Sequence, residues 1–124
     1  MFKMLVCIGA GSAVGGVLRF LVSRWIQSAV DVAFPWGTLV VNVAGCFIIG
    51  LVYGLCDRHF CISPEMKAFL TVGFCGGFTT FSTFANENYL LLVTSNIAVC
   101  IYAGLSFAVG LLFVHLGYAF ARVF

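Results

Sequence analysis

The residues of this chain whose types and spacing best suit chemistry lie in one stretch, residues 73–84. It reads Gly-Phe-Cys-Gly-Gly-Phe-Thr-Thr-Phe-Ser-Thr-Phe, so three glycines within five residues precede four hydroxyl side chains within five. Glycine disfavours a helix by about 1 kcal/mol per residue, and Ser and Thr side chains compete with the backbone for hydrogen bonds. We therefore predict that a helix running through this stretch breaks here.

Two aromatic rings stand within the same stretch. Phe81 and Phe84 flank Ser82 and Thr83, and a spacing of three places both rings on one side of any helix that follows the break. An aromatic ring has a negative face and a positive edge, so two rings turned edge-on offer an anion a weak, water-free contact. In a chain with 14 phenylalanines the plainer alternative is that both rings pack in the core or face lipid.

The composition of the chain indicates what surrounds the helices that carry these residues. The 124 residues are 63% apolar and 8% charged, whereas a soluble domain carries about a quarter charged residues, so lipid must solvate this chain. A bilayer span takes roughly 20 apolar residues, which leaves room for about four spans. We predict an all-α membrane protein that forms one domain over residues 1–124, with helices at about 4–26, 36–56, 66–90 and 95–121.

The break then falls near mid-membrane. Irregular backbone at that depth must be buried in protein or line a watery path, and broken helices there are typical of ion and substrate sites. Two polar stripes at helical spacing accompany it, one formed by Thr38, Asn42 and Gly45 and the other by Tyr102, Ser106 and Gly110. Such stripes must face each other, a partner subunit or water.

Small residues predict close helix contacts elsewhere. Gly11 and Gly15 in the first helix, and Gly50 and Gly54 in the second, are pairs at the spacing that lets backbones approach in lipid. Ahead of the third helix, the sequence Ser63-Pro64-Glu65 has the composition of a helix N-terminus.

Two charges interrupt the apolar runs. Glu87 is expected to face a polar vestibule or a partner such as Asn86, Tyr102 or a basic residue, because a carboxylate in the membrane is costly. Arg19 either extends its charged end to the membrane interface or concentrates anions at an aqueous entrance.

The cysteines and histidines indicate no catalytic centre. Four of the six cysteines lie in apolar runs, there is no C-x-x-C motif, and only Cys56 and Cys61 could plausibly pair. His59 and His115 have no neighbours at metal-ligand spacing. We expect neither an enzyme nor a nucleic-acid partner.

The basic residues give a weak orientation signal. With four spans, Lys3, Arg58, Lys67 and Arg122 lie on the side of the termini, and Arg19 and Arg24 lie towards the other side. This bias of four against two weakly favours cytoplasmic termini, but it is small enough that the chain can insert in both directions.

The run Gly-Gly-Phe-Thr-Thr-Phe-Ser-Thr-Phe at residues 76–84 resembles the signature of the CrcB/Fluc fluoride channels. Residues 15–19, residues 35–42 with Gly45, and Tyr102 with Ser106 agree with the same family. The resemblance implies an antiparallel dual-topology homodimer with two pores. Such a dimer lets fluoride leave the bacterial cytoplasm passively through the inner membrane.

The resemblance also implies roles by position. Phe81 and Phe84 correspond to the pore phenylalanines, and Asn42 corresponds to a hydrogen-bond donor for fluoride. Ser82 and Thr83, with Tyr102 and Ser106, would line the polar track, and Glu87 would correspond to the acidic residue after the break. Apart from these correspondences, we expect Arg19, Thr38 and Glu87 to form a polar vestibule that supports the track. Gly76 and Thr79 would supply backbone carbonyls to a structural Na⁺ at the dimer axis.

Three alternative functions remain open. A small dual-topology multidrug or cation transporter is expected to hold a carboxylate in its first helix, and residues 4–26 contain none. A non-transporting membrane assembly subunit would show small-residue packing faces without a broken, hydroxyl-rich span. A membrane thiol oxidoreductase needs a paired dithiol, for which only Cys56 and Cys61 qualify.

Overall fold

The computed structural model describes residues 1–30, 33–58 and 62–124, and every regular element in that part of the chain is helical. The elements are α1 (Phe2–Ala29), α2 (Trp36–Asp57), α3 (Pro64–Ala68), a π-helical segment (Phe69–Cys75), α4 (Gly76–Phe78), α5 (Ser82–Thr94) and α6 (Asn96–Ala121). Within the described residues, four stretches are long and apolar enough to cross a membrane: α1, α2, the third span Pro64–Thr94, and α6. The prediction of an all-α membrane protein with four spans is confirmed.

Serine caps set the ends of the third span. Ser63 accepts a hydrogen bond from the Met66 backbone N–H at 3.2 Å, and Pro64 occupies the first helical position, as predicted. The span therefore begins at Pro64 rather than at 66. At its other end Ser95 accepts from the Ala98 N–H at 3.3 Å, so a single residue both ends α5 and starts α6.

The helices α2 and α6 pack backbone against backbone. A Cβ atom added at Gly117 would overlap the Phe47 carbonyl and lie 2.7 Å from the Leu51 nitrogen, and one added at Gly50 would overlap the Val114 carbonyl. Lipid is as apolar as the side chains, so association in a membrane depends on this close van der Waals contact.

The helix α1 packs on the third span in the same way. A Cβ added at Gly11 or Gly15 would overlap backbone of the third span, as their spacing predicts. The contact is reciprocal, because Cβ atoms added at Gly73 and Gly77 would meet backbone atoms of α1. Ser12 adds a hydrogen bond of 3.4 Å from its hydroxyl to the Gly73 carbonyl. Two glycines of the chemistry-bearing stretch thus serve helix packing.

We expect Gly117→Ala to lower the free energy of unfolding by about 1–3 kcal/mol, because the added methyl overlaps the backbone of α2. Gly104→Ala is the matched control on the same helix, since a Cβ there meets nothing within 4 Å. Equilibrium unfolding of the purified protein in detergent measures both. Equal stability of the two variants would contradict the backbone contact.

Candidate ion pathway

The third span is interrupted between α4 and α5. Helical structure stops at Phe78 and resumes at Ser82, and Thr79 adopts an extended conformation with φ −87° and ψ 160°. The Thr79 backbone N–H still donates to the Cys75 carbonyl at 2.9 Å, and its hydroxyl donates to the same oxygen at 2.7 Å. The regular pattern is therefore intact up to Thr79 and changes at the next residue.

Asn42 of α2 supplies the partners that Thr80 lacks. The Thr80 N–H donates to Asn42 Oδ1 at 2.8 Å, and Asn42 Nδ2 donates to the Thr80 carbonyl at 3.1 Å. One amide side chain thus satisfies both backbone groups of a residue in the interruption. The second hydrogen on Nδ2 is not needed for this pairing and can serve another acceptor.

This pairing releases two carbonyls. In a continuous helix the Thr80 N–H would bond to the Gly76 carbonyl, and the Thr83 N–H would bond to the Thr79 carbonyl. Here Thr80 bonds to Asn42, and the Thr83 N–H donates to the Thr80 hydroxyl at 3.2 Å. The carbonyls of Gly76 and Thr79 thereby lose their usual helical donors.

Arg19 lies against the same interruption. Its Nε atom donates to the Gly77 carbonyl at 3.1 Å in a partly buried contact between α1 and α4. The sequence suggested an interfacial or anion-concentrating role for this residue. The structure places the guanidinium on the backbone carbonyl of Gly77, the residue that follows Gly76.

A first cavity of about 600 Å³ opens beside the interruption. Its lining includes six predicted site residues: Asn42, Phe81, Phe84, Ser106, Gly76 and Thr79. The rings of Phe81 and Phe84 lie 6.1 Å apart at 41°. No charged side chain is among the described residues that line this cavity.

A second cavity of about 490 Å³ lies between α1, α2 and α5. It is lined by polar and charged groups together with one glycine: Ser23, Arg24, Gln27, Ser28, Gly37, Thr38, Thr83 and Glu87. Thr38, Thr83 and Glu87 were predicted from sequence, whereas Arg24 had entered only the orientation count. Nine of the predicted site residues therefore lie in two cavities of different polarity, and Arg19, Ser82 and Tyr102 line neither of them.

Tyr102 contacts a lining residue of each cavity, Phe84 of the first and Glu87 of the second. Its side chain is 0% exposed, its ring lies 5.0 Å from that of Phe84, and its hydroxyl donates to Glu87 Oε1 at 3.2 Å. Thr38 interacts with both Glu87 and Tyr102. Glu87 thus has Tyr102, one of the partners that the sequence suggested, and it also lines the polar second cavity.

Two hydroxyls of the predicted track differ in their surroundings. Ser106 lines the first cavity, and its buried Oγ has no hydrogen-bond partner among the described residues. Ser82 is exposed and is not among the residues that line either cavity. The structure of the single chain thus brings Ser106 to the candidate path and leaves Ser82 outside it.

Sequence reasoning missed Thr80, whose backbone pairs with Asn42 and whose hydroxyl accepts from the Thr83 N–H in the interruption. Its only signal was its place in the hydroxyl-rich run. Two other sequence interpretations, on His59 and on the pairing of Cys61 with Cys56, involve positions outside the described residues. Within the described part of the chain, no group of three or more His, Cys, Asp or Glu side chains is placed to hold a metal ion.

Comparisons with known proteins agree with this geometry. A family model described as "CrcB-like protein, Camphor Resistance (CrcB)" matches residues 6–118. A protein named fluoride-specific ion channel FluC from Flavobacterium psychrophilum is 40% identical over 121 residues, which cover 97% of this chain and 98% of that relative. Relatives of the same name include one from Leptospira interrogans (40% identical, 98% and 92% covered) and one from Rhizobium etli (43% identical, 82% and 85% covered). With a match over nearly its whole length, the chain belongs to the CrcB family.

Proposed function

We propose that this protein is a fluoride-selective ion channel that lets fluoride leave the cytoplasm passively through the bacterial inner membrane. The observation that carries the proposal is the first cavity, where an amide, a hydroxyl without a partner and two aromatic rings converge without a formal charge. The names of the relatives favour this function over the transporter and assembly alternatives.

The donor set suits fluoride. Fluoride is small and strongly hydrated, so a pathway must replace its water by several donors and still release it. Asn42 Nδ2, the Ser106 hydroxyl and the positive edges of Phe81 and Phe84 offer such contacts. A fixed cation would bind the anion too tightly for passage, and the charged Arg24 lines only the second cavity.

The functional unit is proposed to be an antiparallel dual-topology homodimer with two pores. In the single chain the Phe81 ring is 80% exposed although it lines the first cavity, and a second copy would cover it. The small excess of basic residues on one side is consistent with insertion in both directions. The dimer would also enclose Ser82.

The interruption of the third span is proposed to lie near mid-membrane and to hold a structural Na⁺ at the dimer axis. The released carbonyls of Gly76 and Thr79 fit such an ion, because neutral backbone oxygens suit a hard monovalent cation. Two antiparallel subunits would present about four of these oxygens to one central site. Arg19 would hold the adjoining Gly77 carbonyl away from it.

Phe81→Ile and Phe84→Ile should each lower fluoride efflux from liposomes by about tenfold or more, because an aliphatic side chain loses the positive ring edge. Phe120→Ile is the control, since that ring packs on Phe47 and Phe124 and lines neither cavity. Efflux of fluoride is compared with that of chloride in the wild type. Chloride efflux equal to fluoride efflux would contradict the proposed selectivity.

Asn42→Asp should abolish fluoride efflux. A carboxylate cannot donate to the Thr80 carbonyl, and when ionised it repels the anion. Efflux is measured on protein that elutes as the wild-type oligomer from a sizing column. Undiminished efflux would remove Asn42 from the pathway.

Fluoride efflux should fall when Na⁺ is completely replaced by a bulky organic cation, because the released carbonyls would lose their counter-charge. Restoring Na⁺ should restore the efflux, which controls for irreversible loss of protein. Efflux that is independent of Na⁺ would refute the structural ion and leave the channel function standing.

A further inference from the structure

A continuous series of aromatic rings leads away from the interruption. From the Phe81–Phe84 pair, the next ring is Tyr102 at 5.0 Å from Phe84, and Phe34 follows at 5.3 Å from Tyr102. Trp36, at 4.8 Å from Phe34, ends the series at the start of α2. Phe34 lies between α1 and α2 in the chain. Through its ring, this part of the chain contacts Tyr102, which in turn contacts a lining residue of each cavity.

The backbone of Phe34 is held in place from two sides. Its carbonyl accepts a hydrogen bond of 3.1 Å from Gln27 Nε2 and another of 2.9 Å from the Trp36 N–H. Gln27 also accepts from the Gly37 N–H at 3.3 Å, which ties the end of α1 to the first turn of α2. The position of the Phe34 ring is therefore determined by both helices.

The ring of Tyr102 is enclosed by its two aromatic neighbours. Phe84 packs on it at an interplanar angle of 58°, and Phe34 meets it at 73° in an edge-to-face contact. With these neighbours Tyr102 is completely buried, and its hydroxyl points to Glu87 at the second cavity. Without the Phe34 ring, Tyr102 would gain space on one side and its hydroxyl would no longer be confined to this position.

We propose that Phe34 is a positioning residue that holds Tyr102 against Phe84 and so directs the Tyr102 hydroxyl to the Glu87 carboxylate at the second cavity. This inference rests on the proposed channel function. Phe34 acts through Tyr102, whose hydroxyl holds Glu87 among the residues that line the second cavity. The connection between α1 and α2 thereby contributes to conduction without lining the first cavity.

A double-mutant cycle on fluoride efflux from liposomes tests this dependence. Phe34→Ile should lower efflux by about tenfold, the factor that corresponds to loss of an aromatic contact, whereas Phe34→Tyr keeps the ring and should retain most of it. Tyr102→Phe, which lacks the hydroxyl, should lower efflux as well. The double variant should conduct like Tyr102→Phe alone, because Phe34 has no hydroxyl left to position.

Phe113→Ile is the matched control, since Phe113 makes an edge-to-face contact with Phe47 at 71° in a pair that lines neither cavity. It should leave fluoride efflux near the wild-type value. Phe34→Leu replaces Phe34→Ile if the latter does not elute as the wild-type oligomer.

The inference is overturned by normal efflux in Phe34→Ile, by an unaffected Tyr102→Phe protein, by the same loss in Phe113→Ile, or by losses that multiply in the double variant. Each of these results leaves the proposed channel function intact if wild-type protein conducts fluoride. Wild-type protein that does not conduct fluoride refutes the proposed function and this inference together.

Discussion

The pairing of the Asn42 amide with both backbone groups of Thr80 is the interaction on which the candidate pathway depends. A peptide group in hydrocarbon that finds no partner costs several kcal/mol, so a span can be interrupted only where its neighbours supply replacements. Asn42 supplies them from α2, and the Thr80 hydroxyl supplies another to Thr83. The interruption is therefore a hydrogen-bonded structure shared between two spans.

The glycine contacts make this arrangement possible. Gly77 lets α4 approach α1 closely enough for Arg19 to reach the Gly77 carbonyl, and Gly45 of α2 lies against the Thr79 methyl group. A side chain at either glycine would push the interruption away from the helix that supports it. Within this short stretch of the third span, some residues therefore pack against neighbouring helices and others line the candidate pathway.

Charged side chains and uncharged hydrogen-bond donors lie in different cavities along the candidate path. The first cavity is lined by neutral donors, aromatic rings and small residues, whereas Arg24 and Glu87 stand at the second. Tyr102 joins them, with its ring on one side and its hydroxyl on the other. For an anion that must lose and regain its water, charged and polar groups are useful at a hydrated entrance, and weak neutral contacts are useful where the water is gone.

Hydropathy by itself determined the four spans, because lipid demands about 20 apolar residues per crossing. Caps such as Ser63 and glycine pairs such as Gly11 and Gly15 were readable because their physics is local and periodic. The position at which helical structure is interrupted in the third span was predictable for the same reason, from the glycines and hydroxyls around Thr80. Only the tertiary structure decided that Asn42 is the partner of Thr80, that Arg19 binds the Gly77 carbonyl, and that Phe34 encloses Tyr102. Those contacts join residues far apart in the chain. Which residues meet depends on how closely the helices pack at the faces that carry glycines.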